Sequence, residues 1–147
     1  MNKEYINEIL TKDIESLGFC IWGVELFGRQ KSQTLRIYID NEQGISIEDC
    51  EIVSKHVIKV LDTENDFSSK YLLEVSSPGL DRKFFFDYQY RDYINSSINI
   101  KYVNDSKDKV SIQGIIKNVN ETGLLLVFEE EIIEVPFSSI IQANLIM

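Results

Sequence analysis

The stretch from Tyr71 to Arg82, YLLEVSSPGLDR, constrains this chain more than any other. Tyr71, Leu73 and Val75 alternate with Leu72, Glu74 and Ser76, the two-residue period of a half-buried strand. Ser77 precedes a proline and is held extended. Pro78 and Gly79 suit the two central positions of a type II turn, because proline fixes φ and glycine accepts a positive one. Leu80 is then expected to fold back onto the core, with Asp81 and Arg82 facing water or a partner. A strand ending in so stiff a bend closes one folding unit and delivers the chain to another. Ser76, Ser77, Pro78, Gly79 and Leu80 are therefore read as an inter-domain elbow between domains at residues 1–82 and 83–147.

Upstream of the elbow, Ile6, Ile9, Leu10, Ile14 and Leu17 recur at helical spacing, and Gly18 stops the helix. Cys20, Trp22, Val24 and Leu26 alternate with Ile21, Gly23, Glu25 and Phe27, which reads as a strand. A polar link, Gly28 to Ser32, leads to a second alternation, with Leu35, Ile37 and Ile39 on one face and Arg36, Tyr38 and Asp40 on the other. Two strands joined by a short polar link pair as an antiparallel hairpin. After a turn at Asn41 to Gly44, Ser46 and Asp49 have the spacing of a capping box. The helix they open places Cys50, Val53, Val57, Val60 and Leu61 inward. It should end near Asp62, before the polar stretch from Thr63 to Lys70. The pattern is αββαβ, a sheet with two helices on one face.

Downstream, six aromatic residues crowd between Phe84 and Tyr93, either a short helix or an aromatic linker over about residues 83–95. Five short β-type runs follow: Ser97–Val103, Val110–Asn118, Leu124–Glu129, Ile132–Val135 and Ile140–Leu145. Clusters of turn-forming residues separate them, among them Asn104 to Asp108 and the acidic Glu129-Glu130-Glu131. Strands this short and evenly spaced predict a small barrel, which also removes open sheet edges. The fold class is α+β.

Composition then removes whole classes of function. Net charge is −9; 9 basic and 15 acidic residues precede the cut after Arg82, and 6 and 9 follow it. Neither half is a basic nucleic-acid domain, and an acidic surface favours basic partners. No apolar run is long enough to span a bilayer, and the charged start MNKEYINEIL is unlike a signal peptide, so a cytoplasmic location and no membrane partner are expected. Cys20 and Cys50 lack paired spacing and nearby histidines; they are expected as buried free thiols, not metal ligands. His56, the single histidine, falls between core positions Val53 and Val57, on the helix surface or partly buried. Ser76 and Ser77 have no base placed for them by sequence, so no catalytic residue is assigned. Phosphate-binding glycine loops are absent, as is the GxxG loop of KH domains, and no cofactor, metal or small-molecule substrate is expected. The aromatic cluster is expected to pack the domain junction instead of stacking bases.

Glu74-Val75-Ser76-Ser77-Pro78-Gly79-Leu80-Asp81-Arg82 resembles the signature of the ribosome maturation factor RimP family. Two further blocks agree in order and spacing: Leu35-Arg36-Ile37-Tyr38-Ile39-Asp40 and Gly44-Ile45-Ser46-Ile47-Glu48-Asp49-Cys50. The sequence departs from the family at Lys83-Phe84, where Pro-Leu is usual, and near Asn95-Ser96, where a glycine is common. The resemblance implies a KH-like N-terminal domain and a C-terminal SH3-like (Sm-like) barrel. It further implies a non-enzymatic factor that binds the immature small (30S) ribosomal subunit, through a basic ribosomal protein and ribosomal RNA. The residues expected to touch that partner are Arg36, Tyr38, Asp81 and Arg82. A structural alternative for Arg82 is a pair with Glu74 or Asp81.

Overall fold

The computed structural model describes residues 2–29, 32–64 and 71–147. The middle of the polar link, residues 30–31, and most of the stretch before the elbow strand, residues 65–70, lie outside the described residues. The chain divides into two compact units, Met1–Pro78 and Gly79–Met147.

The first unit runs α1 (Lys3–Ser16), β1 (Cys20–Arg29), β2 (Ser32–Asp40), α2 (Ile47–Asp62) and β3 (Tyr71–Ser76). Its sheet has the order β1-β2-β3, with β1 antiparallel and β3 parallel to the central β2. A parallel pair needs a long crossover, and α2 provides it. Both helices start on side-chain caps. Asn2 Oδ1 accepts from Tyr5 N at 2.8 Å, while Ser46 and Asp49 form the reciprocal capping box, at 3.1 and 2.9 Å. Ile6, Leu10 and Ile14 of α1 and Val53, Val57 and Leu61 of α2 meet Leu35, Ile37 and Ile39 of β2 in one core, all fully buried.

Strand β1 departs from the simple alternation. Its register against β2 shifts between Ile21 and Gly23, so that Trp22 is bulged. An extra residue reverses the phase of the strand before it. Ile21 and Val24 both face the core, and Cys20 is exposed instead of buried. Cys50 is only half-buried, and burial, then the neighbouring Asp49 carboxylate, push its thiol up. The expectation of two buried thiols is therefore corrected: Cys20 lies at the surface.

The second unit contains a 3-10 helix (Asp87–Tyr93), β4 (Ser97–Val103), β5 (Lys109–Val119), β6 (Gly123–Phe128), β7 (Glu131–Pro136), a 3-10 turn (Phe137–Ser139) and β8 (Ile140–Leu145). The sheet is antiparallel, in the order β7-β6-β5-β4-β8. In a flat sheet the two edges would stand about 19 Å apart, at about 4.8 Å per strand. Yet β7 and β8 are consecutive in sequence, and the four steps from Pro136 to Ile140 reach only about 14 Å at full extension. The sheet is therefore strongly curled. Bulges at Lys117 in β5 and Ile141 in β8 supply local bending.

Two devices set the hairpins of this unit. Asn104 Oδ1 accepts from Ser106 N and Asp108 N, and Asn120 Oδ1 accepts from Thr122 N and Gly123 N. The β6–β7 link is a two-residue loop of Glu129 and Glu130, with φ of 50° and 68°. Asn95, in the pair near which the resemblance leads one to expect a glycine, has φ of 76°. Asparagine visits that left-handed region more readily than most residues.

The aromatic segment belongs to this unit. Phe84 N donates to Ala143 O and Leu145 N donates to Arg82 O, each at 2.9 Å, so Lys83 forms an antiparallel bridge to Asn144 of β8. Phe84 stacks on Tyr90 with centroids 4.2 Å apart, and Tyr90 on Phe137 at 5.8 Å. Gln89, almost wholly buried, accepts from Phe85 N and Phe86 N at 2.8 and 3.1 Å. The segment read as a short helix or an aromatic linker is thus a single bridge to β8 followed by a 3-10 helix.

Candidate partner-binding surface

With Leu35, Ile37 and Ile39 turned into the helical core, the strand period sends Arg36 and Tyr38 out of the opposite sheet face. The register places Glu25 on one side of Arg36 and Glu74 on the other. Arg36 Nε donates to Glu74 Oε2 at 2.7 Å, and its guanidinium carbon lies 4.9 Å from the Phe27 ring centroid. Tyr38 OH donates to Glu25 Oε1 at 2.7 Å. The Tyr38 hydroxyl and the Glu74 carboxylate raise the pKa of Arg36, while burial first, and then the Glu25 carboxylate, raise that of the Tyr38 phenol. Both groups keep their protons at neutral pH.

The outcome is a polar row across three strands, with Phe27 and Leu72 exposed beside it at 42% and 61%. Arg36 and Glu74 are 34% and 40% exposed as side chains, so their pair is screened by water and can be exchanged for a partner's groups. Of the four residues expected to touch a partner, Arg36 and Tyr38 share this face. Glu25, Phe27, Leu72 and Glu74 also line it. Their alternation was readable, but the cross-strand register that brings them together was not.

Asp81 and Arg82 belong to the second unit. Gly79 has φ of 82°, as a type II turn at Pro78-Gly79 requires. The assigned turn nevertheless centres two residues later, on Leu80 and Asp81, and Arg82 Nε donates to Gly79 O at 3.0 Å across it. A residue at the crest of a turn has no core above it. Leu80 is accordingly 70% exposed, which corrects the expectation that it packs inward.

Ser76 lies on β3 and His56 on α2. Ser76 Oγ donates to Ser77 O at 2.9 Å, while His56 Nε2, buried and without a hydrogen-bond partner among the described residues, stands 3.4 Å from Asp13 Oδ1 on α1. Among the described residues, no group of three His, Cys, Asp or Glu side chains could hold a metal ion, and no helix is long and apolar enough to cross a membrane.

Residues 9–81 match the family profile described as the RimP N-terminal domain. The chain belongs to the RimP family. The RimP match takes in α1 from Ile9 onward, all of β1, β2, α2 and β3, and ends within the elbow turn. Membership in RimP points to a role in ribosome maturation. The sheet face carrying Arg36 and Tyr38 lies wholly inside the RimP domain.

Proposed function

We propose that this chain is a non-catalytic assembly factor that binds the immature 30S subunit and promotes its maturation in the cytoplasm. The RimP N-terminal domain over residues 9–81 carries this reading. The two compact units act as its two domains, a KH-like first domain and a second whose curled sheet closes as an SH3-like barrel. The contact surface on the first domain is the outer sheet face, with Arg36 and Tyr38 at its centre. On the second it is the turn bearing Asp81 and Arg82, to which exposed Leu80 adds an apolar contact. Pro78 and Gly79 set the backbone path that presents this turn, with Ser76 and Ser77 leading into it. Exposed carboxylates and a net charge of −9 suit a basic ribosomal protein as one partner, beside ribosomal RNA. By binding an assembly intermediate more tightly than the finished subunit, such a factor shifts the population toward maturation and then leaves.

Co-sedimentation with purified particles tests this. The chain should pellet with immature small subunits and not with mature ones; equal or absent binding to the two would refute the reading.

A further inference from the structure

Strands β4, β5 and β8 contain no acidic residue, in a chain with 24 of them. Their inward positions, Ile98, Ile100, Tyr102, Ile116, Ala143 and Leu145, are buried. The opposite face is therefore free to be polar, and it presents two rows set by the strand register. Asn144, Asn99 and Gln113 form one row, and Gln142, Lys101 and Ser111 the next. Together they line an open groove. Asn144 donates to the Leu145 carbonyl at 3.1 Å. No hydrogen bond or ion pair within the described residues engages the side chains of Asn99, Lys101, Ser111, Gln113 or Gln142.

We propose that this groove is a docking surface for A-form duplex RNA. The inference rests on the ribosomal reading above and assigns the RNA-facing surface of the second unit. Charge decides the sign of the partner: a lysine set among carboxamides, with no carboxylate on these strands, repels a basic protein and attracts phosphate. Lys109 and Lys117 lie on β5 to either side of the groove residues, although Asp105 and Asp108 stand in the turn beside Lys109. Lys101 and the amides therefore carry the contact. Side-chain chemistry decides the form of the RNA. Single-stranded RNA is held by aromatic rings on which bases stack, and the groove has none. Duplex RNA offers a wide, shallow minor groove lined with 2′-hydroxyls that donate and accept. Carboxamides also donate and accept, so three strands of them, about 10 Å across, match that surface.

The experiment titrates the full chain with a labelled RNA hairpin of about 16 base pairs, a length that spans two successive minor grooves. Single-stranded RNA and a DNA duplex of equal length serve as comparisons, from about 50 to 200 mM salt. The hairpin should bind best. K101A should reduce the salt slope by about one, and the pair N99A/Q113A should weaken binding several-fold with the slope unchanged. All three positions are exposed, and circular dichroism checks that the variants fold. Absence of hairpin binding, a preference for single strands, or variants that bind as the parent does would overturn the proposal. The same variants are then sedimented with immature subunits. Hairpin binding by a chain that ignores the particles supports the groove and overturns the ribosomal reading; particle binding with no hairpin binding does the reverse.

Discussion

The β6–β7 hairpin is built against local preference, and replacing Glu129-Glu130 with Asn-Gly should stabilise the second unit. The register pairs Phe128 with Glu131, which leaves Glu129 and Glu130 as the whole loop, and both have positive φ. That is the type I′ geometry, for which Asn-Gly is the preferred sequence. A side chain held in the left-handed region costs about 1–2 kcal/mol. Glycine removes that term at the second position, although its freedom in the unfolded chain returns about 0.5–1 kcal/mol of the gain. Asparagine relieves part of the strain at the first. Two fewer charges beside Glu131 and Glu134 contribute a few tenths more, as exposed charge pairs do. The net gain is about 1–2 kcal/mol, which raises the melting temperature of a domain this size by about 5–10 °C. Thermal and urea unfolding of E129N/E130G and of E129A/E130A, followed by circular dichroism, separate the two terms. Alanine removes the charges and keeps the strained φ. If the alanine pair gains as much as Asn-Gly, repulsion and not backbone strain governs the turn. If Asn-Gly gains nothing, the argument fails.

Four further outcomes follow from contacts described above. Gly123→Ala would drive a Cβ into the Val135 carbonyl and to 2.7 Å from Pro136 Cα, both backbone, and should cost about 1–3 kcal/mol or more in urea unfolding. Gln89→Ala would take away the acceptor shared by Phe85 N and Phe86 N; a loss of about 1–3 kcal/mol is expected, and a neutral result would show that water replaces it. Arg36→Ala should change stability by less than about 1 kcal/mol, because its pair with Glu74 is half-exposed, while weakening binding to immature subunits. A larger stability loss would make Arg36 structural. Maleimide should label Cys20 well before Cys50, since the thiolate is the reactive form and burial beside Asp49 disfavours it at Cys50; mass spectrometry of the labelled peptides gives the order.

Much of the fold is a matter of local period, and local period is written in the sequence. The capping box at Ser46 and Asp49, both helix faces, the strand limits at Tyr71–Ser76, Ser97–Val103 and Ile140–Leu145, and the turn cluster at Asn104 all follow from spacing. Each depends on residues within a few positions of one another. The elbow motif likewise marked the family.

Tertiary structure alone decided what joins residues far apart. The bulge at Trp22 turned Cys20 outward because the β1–β2 register, not the alternation within β1, sets which side chains face the helices. The turn settled on Leu80 and Asp81, leaving Leu80 in water. Arg36 and Glu74 lie 38 positions apart and meet because a parallel pairing aligns them. The acid-free groove gathers Asn99, Lys101, Gln113 and Gln142 from three strands whose lysines form no cluster in sequence. A strand period specifies which face a side chain takes, but only the register of neighbouring strands specifies what stands beside it.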